Sequence, residues 1–109
     1  MRKVAIAAAG LWLGLILPLS FGQGSKGDAA AGKLLFEQKC QDCHDADTDE
    51  TKTGPGLKGV KDGKLPSGMK ATRENILELV NEGRDEMPSF KDSLSDQEKE
   101  NVIAYVLTL

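Results

Sequence analysis

The apolar residues of this chain of 109 residues are distributed in two different ways. An uncharged, mostly apolar run extends from Val4 to Leu17, directly after the basic start Met1-Arg2-Lys3. Beyond residue 28, apolar residues recur at helical spacing in three separate segments. The pattern therefore predicts an N-terminal leader followed by an all-α domain with about three helices and no strand.

The first two predicted helices have local signals at their ends. Asp28 suits the N-cap of a helix over 29–39, a segment rich in the strong helix formers Ala and Leu. Thr72 suits the N-cap of a helix over 73–82, and Gly83 suits the C′ position that ends it. The residues predicted to face the core are Gly32 and Phe36 in the first helix, and Ile76, Leu77 and Val80 in the second.

The last predicted helix has the clearest start signal. Ser95-Asp96-Gln97-Glu98 fits the capping box, in which the serine and the glutamate side chains each accept a backbone N–H of the first turn. An apolar face at helical spacing follows the box, and it consists of Val102, Ile103, Tyr105, Val106 and Leu109.

A long segment without helical periodicity, from Asp45 to Lys70, separates the first two helices. Residues 51–68 contain several glycines and prolines, which are turn formers. A loop of this length in a compact domain normally has a function or is disordered. Wrapping a flat cofactor would be such a function.

The N-terminal residues have the organisation of a secretory signal peptide, with a basic start, an apolar stretch and small residues near its end. Ser20 and Gly22 suit the −3 and −1 positions of a cleavage site before Gln23. The alternative is an uncleaved membrane anchor, because a spanning helix needs about 20 apolar residues. The predicted organisation is a signal peptide over 1–22, a flexible lead over 23–27 and a single exported, periplasmic domain over 28–109.

Composition and charge narrow the possible partners. The formal net charge is −3, and loss of the signal peptide with Arg2 and Lys3 would make it more negative. A mildly acidic exported domain argues against binding to nucleic acid or to an anionic membrane. A domain this small buries a modest core unless a cofactor adds apolar surface.

The candidate chemistry is concentrated in Cys40-Gln41-Asp42-Cys43-His44, which holds the only two cysteines and the only histidine of the chain. C-x-x-C-H is the attachment signature of c-type haem. Two thiols on one turn can each add to a vinyl group at the porphyrin edge. The histidine that follows can then bind the iron as the proximal ligand.

Three other interpretations of the two cysteines are weaker. A C-x-x-C disulfide closes a very small loop and would stabilise the fold little. A thioredoxin-like redox motif expects a βαβ setting, and the pattern contains no such strands. A structural zinc site needs four Cys or His ligands, and only three such residues exist.

At this point the chain resembles the class I cytochrome c family over essentially all of the sequence after the leader. Gly32 and Phe36, together with Val102 and Tyr105, resemble the crossing of the first and last helices in that family. Thr53-Gly54-Pro55-Gly56-Leu57-Lys58-Gly59 resembles its T-G-P-x-L-x-G loop. The resemblance implies a cytochrome c fold of helices and a long loop around one covalently bound haem c.

The resemblance also implies roles for particular site residues. The carbonyl of Pro55 would accept a hydrogen bond from Nδ1 of His44 and leave Nε2 for the iron. Met87 lies in Met87-Pro88-Ser89-Phe90, which resembles the M-P-x-F loop whose methionine is the second axial ligand. Met69 is the other candidate, and either methionine could instead fill a gap in the core. The expected cofactor-binding set is Cys40, Cys43, His44, Met87 and Pro55, with His44 and Met87 as the metal ligands.

One departure concerns the haem propionates. The mitochondrial branch of the family places a tryptophan near a propionate, whereas the single tryptophan here, Trp12, lies in the predicted signal peptide. Backbone amides or the Ser, Lys and Arg side chains of residues 58–73 are the expected substitutes.

Iron bound by both His44 and Met87 would have no open coordination position, which favours one-electron transfer over catalysis. The leading hypothesis is a periplasmic electron carrier that exchanges electrons with a redox protein donor and acceptor and is not an enzyme. The alternatives are a cytochrome subunit of a membrane-associated dehydrogenase or oxidase complex, and a haem-based sensor or peroxidase.

Acidic residues surround the haem motif and precede Met87, whereas the loop between these two segments contains several lysines. A cluster of charged residues is usually a solvated surface. If it is functional, the acidic residues would attract a partner with a basic docking face, and these residues are Asp42, Asp45, Asp47, Asp49, Glu50, Asp85 and Glu86.

Overall fold

The computed structural model describes residues 26–109, and its main elements are helices. The only β geometry in this range is two isolated bridges, Lys64 with Lys70 and Arg84 with Met87. The predicted all-α class is therefore confirmed, and the helices are α1 (Ala29–Lys39), α2 (Arg73–Glu82) and α3 (Asp96–Val106).

The predicted signal peptide over 1–22 lies outside the described residues. None of the helices between residues 26 and 109 has the length and apolar character needed to cross a membrane. Of the predicted flexible lead, residues 26 and 27 are described. A Cβ on Gly27 would lie 1.9 Å from the carbonyl oxygen of Glu100 in α3, so Gly27 packs closely against that helix.

Each helix begins with a side-chain cap at the predicted residue. The carboxylate of Asp28 accepts hydrogen bonds from the N–H groups of Ala30 and Ala31. Thr72 Oγ1 accepts from the N–H of Asn75 at 3.1 Å. At the start of α3, Ser95 and Glu98 form both hydrogen bonds of the capping box. Local side-chain chemistry therefore fixes all three helix starts.

Helices α1 and α3 cross in close contact at Gly32. A Cβ built on Gly32 would lie 1.9 Å from the backbone oxygen of Asn101, so only glycine allows the two backbones to approach this closely. One turn further on, Phe36 and Tyr105 make an edge-to-face contact with ring centroids 5.4 Å apart. The Asn101 side chain also accepts the N–H of Asp28 at 2.9 Å, which joins the start of α1 to α3.

Gly32→Ala is expected to destabilise the protein by about 1–2 kcal/mol, because overpacking against a backbone atom costs up to about 3 kcal/mol and the helix propensity of alanine returns only about 1 kcal/mol of it. Thermal unfolding followed by circular dichroism should show a melting temperature lower by about 4 °C or more. Lys33→Ala, at an exposed neighbouring position of α1, is the matched control. A Gly32→Ala protein as stable as this control would mean that α1 and α3 do not approach so closely.

Helix α2 is joined to α3 by an ion pair. The guanidinium of Arg73 donates to both carboxylate oxygens of Glu100, whose side chain is only 12% exposed. This contact raises the pKa of Arg73 further above its ordinary value. The three helices and the long loop share one apolar core, formed by Phe36, Leu57, Val60, Leu65, Ile76, Val80, Leu94, Val102, Ile103 and Val106.

The long loop contains a short 3₁₀ turn, Val60–Asp62, that the periodicity did not predict. It begins after Gly59 and ends before Gly63, both with positive φ, and three residues are too few to produce a helical pattern. The N–H groups of Gly59 and Lys61 both donate to the carbonyl of Leu109. This turn therefore attaches the loop to the C-terminal end of the chain and buries Val60 in the core.

Candidate haem site

The Cys40–His44 motif forms a tight turn directly after α1. Cys40 is the C-cap of the helix, and its N–H donates to the carbonyl of Phe36. The N–H groups of Cys43 and His44 then both donate to the carbonyl of Cys40, at 3.1 and 2.9 Å. Because the turn closes on itself, both sulfurs and the imidazole line the same cavity.

The loop over 53–58 lies against this turn through backbone hydrogen bonds. The N–H of Gly54 donates to the carbonyl of Cys43 at 2.8 Å, and the N–H of Leu57 donates to the carbonyl of Asp45 at 2.8 Å. This register places the carbonyl oxygen of Pro55 2.8 Å from Nδ1 of His44. A proton on Nδ1 would be donated to that carbonyl, which leaves Nε2 as the free ring nitrogen.

Gly54 lies directly under the imidazole ring of His44. A Cβ at this position would be 2.6 Å from Cε1 and 2.9 Å from Nδ1 of the ring. Such contacts are shorter than van der Waals distance, so a side chain at residue 54 would force the ring to turn away. The glycine is thus required by the space that the ring occupies, and not by a positive φ.

Gly54→Ala is expected to displace the His44 ring and to weaken its hydrogen bond with Pro55, because the new methyl group occupies the place of the ring edge. The haem-loaded variant should show a mixed-spin ferric spectrum and a melting temperature lower by several degrees. Lys58→Ala, an exposed change in the same loop, is the control. An unchanged spectrum in Gly54→Ala would contradict the close contact between the glycine and the ring.

Met87 lies further along the chain, in the segment between α2 and α3. Arg84 and Met87 exchange backbone hydrogen bonds of 3.0 and 2.8 Å in a tight turn, in which Asp85 has a φ of 54°. Met87 is half-buried and lines the same cavity as His44. Met69, the other candidate from the sequence, is 36% exposed and is not among the residues that line this cavity.

One cavity of about 600 Å³ brings together all five residues expected from the sequence. Its volume is in the range of cofactor sites. Its walls are mainly apolar, and its lining residues include two cysteines, a histidine and a methionine, whose thiols, imidazole and thioether are a donor set for haem. The motif and the loop form the walls that carry Cys40, Cys43, His44 and Pro55, and the segment before α3 forms the wall that carries Met87. The residues present therefore fit a haem.

The two cysteines are free thiols in this arrangement and not a disulfide. Burial raises the pKa of the Cys40 thiol to about 11, and the nearby Cys43 contributes to the shift. This shift disfavours the Cys40 thiolate, the form that disulfide exchange would require of this residue.

The structure also identifies polar cavity residues that sequence reasoning missed. Residues 58–73 contribute only Leu65, Pro66 and Ser67 to the cavity, so none of the lysines of that region lines it. The cationic side chains on the cavity are Lys39, in the last turn of α1, and Arg84, before Met87. Proximity of Arg84 to Met87 along the chain is the one sequence signal that could have indicated this residue.

Comparison with known proteins agrees with this fold. Residues 27–106 match the family model described as "Cytochrome C oxidase, cbb3-type, subunit III". The chain is 38% identical to cytochrome c6 of Leptolyngbya boryana over 80 residues, which are 73% of this chain and 91% of that protein. It is also 36% identical to quinohemoprotein alcohol dehydrogenase ADH IIB of Pseudomonas putida over 81 residues, which are 72% of this chain but 11% of that enzyme.

A solved structure shows the same fold. Cytochrome c6 of the diatom Phaeodactylum tricornutum matches with a TM-score of 0.61 and 33% sequence identity, over 75% of this chain and 93% of that one. The predicted cytochrome c fold is confirmed by this match, as is the prediction of an electron-transfer protein that is not an enzyme. The chain belongs to the class I cytochrome c family, whose members are small electron carriers with a c-type haem.

Proposed function

We propose that this protein is an exported one-electron carrier whose single haem c is attached through Cys40 and Cys43, with His44 and Met87 as the axial ligands of the iron. The observation that carries the proposal is the shared cavity of these four residues. When bound, haem supplies an iron that alternates between two oxidation states. The coarser function, electron transfer with c-type haem, is that of the family.

In this proposal each residue of the site has a defined task. His44 would bind the iron through Nε2, because Nδ1 is engaged by the carbonyl of Pro55. Such a partner fixes the ring and raises its basicity. Met87 would bind the iron through its thioether and would keep other ligands away. With haem in the cavity, the apolar walls would exclude water and lower the reorganisation needed when the charge of the site changes.

A spectrum followed by extraction tests the proposed attachment. The full chain is produced with haem-maturation machinery in the exported compartment, and visible spectra are recorded before and after denaturing acid-solvent extraction. Haem that remains with the polypeptide supports thioether bonds at Cys40 and Cys43. Haem that passes into the solvent would contradict the covalent attachment. Mass spectrometry of the same protein tests the signal peptide, and a mass equal to that of a polypeptide starting at Gln23 would support its cleavage.

A second candidate function is a cytochrome subunit or domain of a larger dehydrogenase or oxidase. The matches to the oxidase subunit III model and to a small part of a quinohemoprotein alcohol dehydrogenase favour this alternative. The two functions use the same haem chemistry and differ in the permanence of the partner. A free carrier leaves its redox partner at high salt, because transient electron-transfer interfaces are small and steered by charge. A subunit would co-purify with its complex.

The proposed redox partners include one with a basic docking face, because acidic side chains lie near the cavity. Asp85 and Glu86 line the cavity and are exposed, and Asp42 is exposed within the haem motif. Part of this charge is neutralised, since Lys52 forms an ion pair of 3.2 Å with Asp45. The net attraction is therefore expected to depend on the other acidic residues, and Asp85 and Glu86 are those that line the cavity itself.

Electron exchange with a basic redox protein is expected to slow by about tenfold between low and physiological ionic strength, because salt screens exposed charges beyond about 8 Å. Stopped-flow kinetics measures the rate. In the Asp85→Asn/Glu86→Gln variant the rate and its salt dependence should both fall, whereas Asp92→Asn, an exposed change outside the cavity, should behave as the unchanged protein. A rate independent of ionic strength would count against a basic partner.

A further inference from the structure

The segment after Met87 is tied to α2 by a side-chain hydroxyl. Ser89 Oγ donates to the carbonyl of Asn81 in α2 at 2.5 Å and accepts the N–H of Lys91 at 3.1 Å. The N–H of Phe90 also donates to the carbonyl of Val80 at 2.8 Å. These contacts begin two residues after Met87, so they restrict how far its backbone can leave the cavity.

The same segment is tied to α3 by a buried lysine. Lys99 is only 5% exposed, and it is the single charged residue among the buried ones of residues 26–109. Its Nζ donates to the carbonyl of Lys91 at 2.9 Å. Burial of an ammonium group is costly unless it is hydrogen-bonded, so movement of Lys91 away from Lys99 would leave this charge without its acceptor.

A continuous chain of hydrogen bonds therefore runs from α3 to α2 behind Met87. It passes from Lys99 Nζ to the carbonyl of Lys91, from the N–H of Lys91 to Ser89 Oγ, and from this hydroxyl to the carbonyl of Asn81. Neither Lys99 nor Ser89 lines the large cavity. Their effect on it must pass through the segment that carries Met87.

We propose that Lys99 and Ser89 are positioning residues that hold the Met87 segment between α2 and α3 and keep the Met87 thioether in the cavity. This inference rests on the proposed ligation of iron by Met87. The hydrogen-bond chain sets how often the thioether leaves its place, and thereby how often another ligand can enter.

Carbon monoxide binding to the reduced holoprotein measures this opening. Lys99→Met keeps the length of the side chain and removes its donor, and Ser89→Ala, at an exposed position, removes the hydroxyl with no change in a buried charge. Each variant is expected to bind carbon monoxide about tenfold faster than the unchanged protein. Lys99→Met loses one hydrogen bond from a charged group, and Ser89→Ala loses two neutral ones, and either loss shifts a local equilibrium by about that factor. Circular dichroism at the same temperature verifies that the helices are intact.

Two controls make the result specific. Lys99→Arg retains a cationic donor for the carbonyl of Lys91 and should restore slow binding. Lys91→Met removes an exposed charge from the same segment but keeps the backbone carbonyl and N–H that the chain uses, so it should bind as slowly as the unchanged protein. Fast binding by Lys91→Met, or by Lys99→Arg, would show an effect of charge or volume and overturn the assigned role.

Failure of the inference differs from failure of the proposed ligation. Met87→Ala must bind carbon monoxide rapidly if Met87 is the ligand, and slow binding by this variant would refute the ligation itself. If Met87→Ala binds rapidly while folded Lys99→Met and Ser89→Ala bind at the unchanged rate, the positioning role is refuted. Should Lys99→Met fail to fold, Ser89→Ala alone decides between these outcomes.

Discussion

The Cys40→Ala/Cys43→Ala chain, produced without haem, is expected to be largely unfolded at 25 °C. Several core residues, among them Phe36, Val80 and Val102, also line the cavity. Their packing is therefore incomplete unless the cavity is filled. At about 24 cal/mol per Å³, a cavity of about 600 Å³ corresponds to a penalty of roughly 14 kcal/mol, which is an upper bound because the cavity is open to solvent. Typical domains are stable by only about 5–15 kcal/mol.

Far-UV circular dichroism and a thermal scan of this double variant check the expectation. The unchanged chain, purified without haem under reducing conditions, is the matched control, since it retains both thiols and should be unfolded to the same extent. The haem-loaded protein should instead show helical signal and a cooperative melt. A cooperative melt of the haem-free double variant would mean that the helices and loop form a stable core without the cofactor.

Met87→Ala is expected to abolish the sulfur-to-iron charge-transfer band of the ferric holoprotein and to lower its reduction potential. The methyl group of alanine cannot bind iron, and methionine opposite histidine raises the potential. The reduced variant should also bind carbon monoxide readily, because one axial position is then open. Visible spectroscopy and a redox titration measure the band and the potential.

Met69→Ala is the matched control for this change. Met69 is partly exposed and is not among the residues that line the cavity, so its removal should leave the band and the potential as they are. The opposite pattern, with the band lost in Met69→Ala and kept in Met87→Ala, would exchange the two assignments. Absence of the band from the unchanged ferric holoprotein would exclude methionine ligation and reopen the sensor or peroxidase interpretation.

The parts of the fold that the sequence predicts well are those with local causes. Asp28, Thr72 and Ser95 cap helices within three residues of their own position, so a short stretch of sequence determines each helix start. The 3₁₀ turn at Val60–Asp62 has no comparable local pattern. It depends on contacts with Leu109, far away in the chain.

The residues of the site also fall into those placed by local sequence and those placed by contacts between distant segments. The turn of Cys40 to His44 is local, and its role follows from spacing. Lys39 and Arg84 lie close in sequence to Cys40 and Met87, but their meeting on one cavity depends on how these two distant segments come together, which neither segment encodes. Lys99 is a different case, because it precedes Val102 and Ile103 by three and four residues and thus falls on the apolar face of α3. The usual exposure of lysine concealed this signal.

The crossing of α1 with α3 has a consequence for the order of biosynthesis. The two helices are at opposite ends of the domain sequence, so their contact is highly non-local and closes only after α3 has emerged from the ribosome. The cysteine turn belongs to the first third of this domain and is made well before its partner helix. We therefore expect haem attachment to act on the exported chain before it has folded, with the docking of α3 as the later step that encloses Phe36 and Cys40.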